Sequence, residues 1–321
     1  MRIVTIDYEA VRRDCEPGPA TRFNTSFCKL ETLPRFVDKP SEAPYSFSRW
    51  LPLITRSRGL GEDDVQTVIL TPQQARLLVD ASTASIITRV VSRVHREDLE
   101  EMVYPAFSTL TYPPDGRGLF MRLSGCSAKD ATCRLHEGRK PQALMLSTEN
   151  IVLCLATSQR ATNDLQRSLD EGLLKIPVFF LPFDARMGSD REYRVFCAPG
   201  SGRMTAISQY QWHKPWRLKE TGSDPDRMKA VVDRISRGAQ ELQQEIMAVL
   251  YPGRCGEDSV LLEQGFSFDA FYDEDADDVQ LVELNVFGAR SGLGACLFNW
   301  SHDFDLLYGE AGTEGEFRVT F

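Results

Sequence analysis

Residues 279–288 read Val279-Gln280-Leu281-Val282-Glu283-Leu284-Asn285-Val286-Phe287-Gly288 and form the second of two strand-like segments near the C-terminal end of the chain. Apolar and polar residues alternate along it, so Glu283 and Asn285 project from one face of an extended strand. The first segment, Gly265–Tyr272, carries Asp269. A hairpin of the two segments would bring Asp269 alongside that pair. The pattern therefore predicts a hairpin with three oxygen-bearing side chains on one face.

Two interpretations of this polar face are open on the local pattern. Three converging oxygen ligands suit a hard cation such as Mg²⁺, which proteins often hold together with nucleotide phosphates. A hairpin whose outer face is simply solvated has the same pattern. The linking stretch Asp273–Asp278 lacks the central glycine and terminal glutamate of a calcium-binding loop, so a solvated turn is predicted there.

Composition limits the class of protein. The 321 residues include 37 basic and 46 acidic side chains, which gives a net charge of −9. A general nucleic-acid binder would carry a basic excess, so direct binding of nucleic acid is not expected. No stretch approaches the roughly 18 apolar residues of a membrane span. The segment Met1–Tyr8 is charged too early for a signal peptide, and the eight cysteines are scattered, so a reduced cytosolic or nuclear setting is expected, with the cytoplasm as the predicted location.

The order of predicted elements indicates an α+β fold with a mostly antiparallel sheet. Residues 1–45 contain two proline-rich clusters and are predicted to be irregular, and residues 46–321 form the folded domain. Besides the hairpin, strands are predicted at Val65–Leu70, Gly118–Leu123, Gln142–Leu146, Ile151–Ala156, Val178–Pro182, Glu192–Ala198 and Arg203–Gln211. Helices are predicted from Thr71 onward, at 84–103, at Asn163–Leu174 and at 224–251, with a further helix start near Cys296–Trp300.

Basic side chains occur where they could approach phosphates. Arg122 lies on a predicted strand and Lys129 on the small-residue loop that follows it. Such a loop lets backbone amides and a lysine reach phosphate groups, although an exposed surface lysine has the same pattern. No G-x-x-x-x-G-K-[ST] sequence occurs, so this is not a P-loop. Arg194 shares a strand face with Glu192, and it could bind a phosphate through two hydrogen bonds or form a cross-strand salt bridge.

Nucleophilic catalysis has little support in the sequence. There is no G-x-S-x-G elbow, and Cys126 has no visibly paired histidine, so it is interpreted as an inert buried thiol. Asp164 is interpreted as a local helix-capping residue.

Taken together and in this order, these segments resemble the cell division cycle protein 123 family. The resemblance covers residues 46–302, about four-fifths of the chain, and it rests on the ordered set rather than on one motif. The matching segments are Phe47-Ser48-Arg49-Trp50-Leu51-Pro52, Val68-Ile69-Leu70, Ala75–Asp80, Arg122–Ala131, Ile151–Leu165, Glu192-Tyr193-Arg194, Ala206-Ile207-Ser208-Gln209, the set Asp269, Glu283, Asn285 and Gly288, and Leu297-Phe298-x-Trp300.

The resemblance implies an ATP-grasp fold, in which two α+β subdomains with largely antiparallel sheets hold ATP and Mg²⁺ between them, with a boundary near residues 140–155. By position, the metal ligands would be Asp269, Glu283 and Asn285. Further nucleotide contacts would come from Arg122, Lys129, Ala156, Arg194 and Gln209. The family is known for an ATP-requiring assembly chaperone that joins the gamma subunit of eukaryotic translation initiation factor 2 to the other subunits.

The sequence departs from the family pattern at four positions. Ala156 replaces a nucleotide-contacting lysine, Arg122 replaces lysine, Glu283 replaces aspartate, and Tyr210 stands where arginine is frequent. Charge is lost at two of these positions, so nucleotide binding could be weaker or differently arranged. Three functions stay open: the assembly chaperone, an ATP-grasp ligase that activates a carboxylate as an acyl phosphate, and a nucleotide-free interaction scaffold.

Overall fold

The computed structural model describes residues 1–16, 21–132, 144–219, 224–250 and 256–321. The chain folds into two compact units. The larger unit comprises residues 1–59 and 186–321, and the smaller unit comprises residues 60–185. Within the described ranges, no helix is long and apolar enough to cross a membrane.

The described strands and helices are numbered here in chain order. The strands are β1 (Arg2–Ile6), β2 (Gln66–Leu70), β3 (Leu119–Leu123), β4 (Leu144–Met145), β5 (Ile176–Pro182), β6 (Glu192–Cys197), β7 (Met204–Gln209), β8 (Phe266–Asp273), β9 (Asp278–Val286) and β10 (Glu316–Thr320). The α-helices are α1 (Tyr8–Cys15), α2 (Phe47–Ser57), α3 (Pro72–Thr88), α4 (Arg96–Met102), α5 (Thr148–Thr157), α6 (Gln159–Asp170), α7 (Pro225–Ala248), α8 (Gly256–Gln264) and α9 (Phe304–Leu307).

The larger unit is built on a six-stranded sheet with the order β1-β10-β7-β6-β8-β9. The strands β1, β10 and β7 are parallel, whereas the pairings of β7 with β6, β6 with β8 and β8 with β9 are antiparallel. The sheet is therefore mixed, and the α+β prediction is confirmed. The predicted hairpin is also confirmed, since β8 and β9 pair with Asp269 opposite Glu283.

Helix α7 covers part of this sheet. The side chain of Asp224 accepts hydrogen bonds from the first backbone N–H groups of the helix, and Pro225 occupies its first position, as the sequence predicts. Gly238 lets the helix approach β9 closely, because a Cβ at that position would collide with the side chain of Val279. The predicted end of the helix at Tyr251–Gly253 lies outside the described residues.

The smaller unit has a four-stranded antiparallel sheet with the order β2-β5-β3-β4. One hydrophobic core contains buried side chains of these strands and of helices α3, α4, α5 and α6. The predicted start of α3 is confirmed, because the Thr71 hydroxyl accepts the N–H of Gln74 and the Gln74 side chain accepts the N–H of Thr71.

The strand predicted at Ile151–Ala156 is wrong, because these residues lie in helix α5. The Ser147 side chain accepts the N–H of Asn150 and caps the helix. Every residue from Ile151 to Thr157 is buried, so the apolar run has no polar face that would reveal a period of 3.6. A short, fully buried run fits a strand and a helix equally well, and only the cap distinguishes them.

The prediction of an irregular segment at residues 1–45 is also wrong. Strand β1 pairs with β10 along its whole length, and α1 follows with its N-terminus capped by Asp7. The Asp14 carboxylate then accepts the backbone N–H groups of Thr21, Arg22 and Phe23. Proline clusters mark loops correctly, but a strand whose partner is more than 300 residues away leaves no local signal. Residues 17–20 lie outside the described part of the chain.

Four further predictions differ from the observed structure. The helix predicted at 84–103 is divided, because α3 ends at Thr88, Arg89 is left-handed with φ of 59°, and α4 begins at Arg96. The predicted subdomain boundary near 140–155 is not observed, because the chain passes between the units at 59–60 and 185–186. Residues 296–300 form turns and not a helix. The predicted strand at 142–146 is observed only as β4, and residues 142–143 are outside the described part.

Candidate functional site

The centre of the candidate site is a buried ion pair between Arg194 and Asp269. Strands β6 and β8 place the two residues directly opposite each other. Arg194 Nε and Nη2 each donate to one Asp269 carboxylate oxygen, both at 2.8 Å. Arg194 is 6% exposed and Asp269 is completely buried. Of the two alternatives from the sequence, the structure shows the cross-strand salt bridge, in the two-point geometry typical of arginine with carboxylates.

Two further predicted residues join this pair through the hairpin. Glu283 lies opposite Asp269 on β9, and a bulge interrupts the register immediately after Asp269. Bulges redirect side chains and are frequent beside functional sites. Asn285 is half-buried, and its Nδ2 donates to Asp269 Oδ2 at 3.1 Å. The structure therefore brings together four predicted site residues: Arg194, Asp269, Glu283 and Asn285.

Residues that the sequence analysis did not assign complete the surroundings of Arg194. The carbonyl oxygen of Gly294 accepts a hydrogen bond from Arg194 Nη1 at 2.9 Å. The ring of Tyr210 lies 4.9 Å from the guanidinium carbon, a cation–π distance. Tyr210 was noted only as a departure from the family pattern. The glycine-rich stretch 288–294 was the available signal for Gly294, since glycines often mark close backbone approach.

The segment after Gly294 is held in a strained conformation. Cys296 has φ of 54°, a left-handed conformation that is unusual for cysteine. Its N–H donates to Asn24 Oδ1, and its carbonyl accepts the N–H of Asn24, which is also left-handed with φ of 48°. Burial raises the pKa of the Cys296 thiol to about 12, so this thiol stays protonated at neutral pH. The N-terminal segment thus fixes the loop that carries the Gly294 carbonyl.

The charge state of Arg194 follows from its surroundings. Burial acts to lower the pKa of its guanidinium, but the negative charge and hydrogen bonds of Asp269 outweigh burial and raise the pKa well above its usual value. Arg194 is therefore cationic at every relevant pH, and Asp269 is its counter-ion.

Gln209 does not share this site. It pairs with Tyr193, one residue out of step with Arg194, so it projects from the opposite face of the sheet. Its side-chain Nε2 donates to the carbonyls of Gln211 and Lys214, and its Oε1 accepts from the N–H of Thr320. The side-chain amide therefore joins β7, β10 and the loop after β7.

The other three predicted nucleotide contacts belong to the smaller unit. Arg122 is buried on β3, and Lys129 is exposed on the loop that follows. Ala156 is completely buried in helix α5. The predicted strand around residue 156 is corrected, because Ala156 lies in helix α5.

Two aspartates anchor the Ser124–Ala131 loop to helix α6. Asp164 is inside this helix and accepts the backbone N–H of Gly125 at 3.2 Å, so it is not the capping residue that the sequence suggested. Asp130 accepts a hydrogen bond from Ser158 Oγ at 2.6 Å and another from the N–H of Arg160 at 3.2 Å. The carboxylate of Asp130 therefore sits at the positive N-terminal end of α6.

We expect replacement of Asp130 by asparagine to weaken this anchor in a pH-dependent way. Burial acts to raise the pKa of the Asp130 carboxyl, but the hydrogen bonds outweigh burial and lower it. The stabilisation is therefore complete above the unfolded value near pH 4 and is lost as pH falls through the lower folded pKa. Urea unfolding followed by circular dichroism should show a loss of about 0.5–1 kcal/mol at pH 7. The difference in free energy of unfolding between the wild type and Asp130→Asn should become smaller below about pH 4.

The matched control is Asp170→Asn, because Asp170 lies at the exposed C-terminal end of the same helix, where its carboxylate accepts a hydrogen bond from Gln166. Its effect should stay within about 0.5 kcal/mol. A loss for Asp130→Asn that is equally large at low pH would contradict the assigned role.

The donor set defines what the larger unit's site can do chemically. Two carboxylates and one carboxamide offer hard oxygen ligands, which suit Mg²⁺ rather than zinc. Among the described residues, no group of three or more histidine, cysteine, aspartate or glutamate side chains could hold a metal ion.

Burial also raises the pKa of the Cys126 thiol to about 12, in agreement with the interpretation of an inert thiol.

Comparisons with known proteins bear on the fold. No family model matches the sequence, and no curated protein matches it. Among solved structures, Cdc123 from Schizosaccharomyces pombe matches with a TM-score of 0.56 and 17% identity, covering 87% of this chain and 96% of that one. A C-terminally truncated form of the same protein matches with a TM-score of 0.54, 17% identity and the same coverage. The chain therefore has the fold of Cdc123, the protein to whose family the sequence segments are similar.

Proposed function

We propose that this chain, which has the fold of Cdc123, binds ATP with Mg²⁺ and assists assembly of eukaryotic translation initiation factor 2 by docking its gamma subunit. The proposal rests on the ordered sequence resemblance, on the fold, and on the cluster of Arg194, Asp269, Glu283 and Asn285. An ATP-grasp mode of nucleotide binding is part of the proposal. The cluster is the observation that carries it.

The residues present fit a magnesium–nucleotide group. Asp269 and Glu283 face each other across one strand pair, and Asn285 already contacts Asp269. Their oxygens would hold Mg²⁺, which when bound would neutralise the charge of the nucleotide phosphates. The guanidinium of Arg194 has the planar fork that matches phosphate oxygens. A solvated hairpin face is a poorer account, because Asp269 is completely buried and Glu283 is only 9% exposed.

Two predicted contacts would contribute little to nucleotide affinity. Ala156 has no charge and is completely buried in α5, so it can offer packing alone. The amide of Gln209 is used by internal hydrogen bonds of the larger unit. We therefore expect weaker ATP binding than in relatives that have a lysine at the position of Ala156.

Titration calorimetry with ATP, with and without Mg²⁺, tests the proposal. We expect magnesium to strengthen ATP binding to the wild type. Replacing Asn285 by alanine removes one oxygen ligand and should weaken magnesium-dependent ATP binding by about tenfold, which corresponds to about 1.4 kcal/mol. Gln280→Ala is the control, because Gln280 is a half-exposed residue of the same strand whose side chain contacts Asp278. Unchanged ATP affinity in Asn285→Ala would remove Asn285 from the metal ligands.

A second assay examines the client. Purified gamma subunit should be retained by the immobilised wild-type protein, and more of it in the presence of ATP and Mg²⁺. Retention of gamma without any ATP binding would favour the nucleotide-free scaffold. Steady release of ADP or AMP on addition of a small carboxylate would favour the ligase.

A further inference from the structure

The Arg194 guanidinium binds the Asp269 carboxylate in the way a metal cation would. Its guanidinium uses two hydrogen bonds on the two carboxylate oxygens, and Asn285 adds a third hydrogen bond to one of them. A carboxylate has about four acceptor positions, so at least three of those on Asp269 are taken. The positive charge of Arg194 lies beside the oxygens that a divalent cation would need.

This arrangement sets two cations in competition. A divalent cation that approaches Asp269 and Glu283 meets the guanidinium at close range in a buried site, where repulsion between like charges is only weakly screened. Arg194 cannot lose its proton to relieve the repulsion, because the guanidinium of arginine stays protonated in proteins. The repulsion is relieved only if the guanidinium moves to another acceptor.

The surroundings of Arg194 supply a pivot for such a move. Nη1 is held by the Gly294 carbonyl at 2.9 Å, and the Tyr210 ring lies against the guanidinium at 4.9 Å. These two contacts do not involve Asp269. The Nε and Nη2 edge of the guanidinium now binds the carboxylate. A phosphate could bind this edge instead, with the same two-point geometry.

We propose that Arg194 is a positioning residue that closes the cation site in the nucleotide-free protein: it holds Asp269 until a phosphate group gives its guanidinium a second acceptor. This inference rests on the ATP and Mg²⁺ site proposed above, and it adds the order in which the phosphate-bearing ligand and the cation bind. A divalent cation alone binds weakly, and a phosphate-bearing ligand opens Asp269 to the cation. A residue that served only as a phosphate contact would have no effect on cation binding without nucleotide.

Binding of Mn²⁺ without any nucleotide distinguishes these roles. Free Mn²⁺ is measured by electron paramagnetic resonance during titration of the wild type, Arg194→Gln and Arg217→Gln. Arg217 is the matched control, because it also bridges two carboxylates of the larger unit, Glu274 and Asp190, but is 37% exposed. We expect Arg194→Gln to bind Mn²⁺ at least tenfold more tightly than the wild type and Arg217→Gln to match the wild type. Equal or weaker Mn²⁺ binding by Arg194→Gln overturns the inference.

A second pair of variants keeps the test decisive if Arg194→Gln is poorly folded. Arg194→Lys keeps the charge without the planar fork and should bind Mn²⁺ about threefold more tightly than the wild type, because a lysine holds a carboxylate at one point only. The double variant Arg194→Gln/Asp269→Asn removes both charges together and should lose the gain in Mn²⁺ affinity. A gain that survives in the double variant places the cation elsewhere and also overturns the inference.

The outcomes separate this inference from the proposed function. Magnesium-dependent ATP binding by the wild type together with no Mn²⁺ gain in Arg194→Gln refutes the inference and leaves the proposed function standing. No binding of ATP to the wild type, and none of Mn²⁺ to any variant, refutes both.

Discussion

Replacement of Asp269 by alanine is expected to lower the free energy of unfolding of the larger unit by about 3–5 kcal/mol, because it leaves the buried charge of Arg194 without its partner. Arg194 is 6% exposed and cannot turn to water in place, and the remaining hydrogen bond to Gly294 does not neutralise it. The same substitution removes one predicted metal ligand, so magnesium-dependent ATP binding should be lost in whatever fraction stays folded.

The four tryptophans make this measurement specific. Trp50, Trp212, Trp216 and Trp300 all belong to the larger unit, so tryptophan fluorescence during urea unfolding reports on that unit alone. The control is Asp190→Ala, because Asp190 pairs with Arg217 at the surface and should contribute at most about 1 kcal/mol. A loss below about 1 kcal/mol for Asp269→Ala would show that the pair is not the buried counter-ion arrangement described here.

Replacement of Trp300 by alanine is the second large effect that we expect. The indole is completely buried, and its ring centroid lies 5.0 Å from that of Phe287 and 5.6 Å from that of Phe196. Truncation of such a side chain leaves a cavity and typically costs about 3–5 kcal/mol. The indole N–H also donates to the carbonyl of Leu293, next to the residue that holds Arg194. ATP affinity should therefore fall together with stability.

Two variants make the Trp300 experiment interpretable. Trp300→Phe retains most of the packing and should lose clearly less stability than alanine, while still lacking the hydrogen bond to Leu293. Trp212→Ala removes a partly exposed tryptophan of the same unit and should have a smaller effect. Fluorescence of the remaining tryptophans follows each unfolding curve. If Trp300→Ala were as stable as Trp212→Ala, the aromatic cluster would not be what supports the loop.

The part of the site that follows from local pattern was predictable. Alternation along residues 279–286 and a short acidic link are enough to predict a hairpin, and the hairpin places Asp269 opposite Glu283. A strand was also predicted at Glu192–Ala198 and is observed as β6, but its place beside β8 was not predicted. Whether Arg194 faces a phosphate or a carboxylate depends on that strand order, which no nearby turn determines.

The remaining contacts around Arg194 could not be predicted for the same reason. The Gly294 carbonyl is 100 residues away in sequence, and its position depends on hydrogen bonds between Cys296 and Asn24. The buried helix α5 was predicted wrongly for a different reason. There, tertiary burial hides the helical period, and the capping serine at residue 147 was the better signal.

The pairing of β1 with β10 also determines when the larger unit can form during synthesis. β10 is not an edge strand, because it lies between β1 and β7, so the sheet stays open until residues 316–320 have left the ribosome. The smaller unit is one continuous stretch, residues 60–185, and all of its pairings close within that stretch. Folding during translation is expected to begin there, while residues 1–59 wait for their partners in residues 186–321, which are made later. In that interval β1 is without its partner strand, and its backbone hydrogen-bonding groups are open to pairing with another chain.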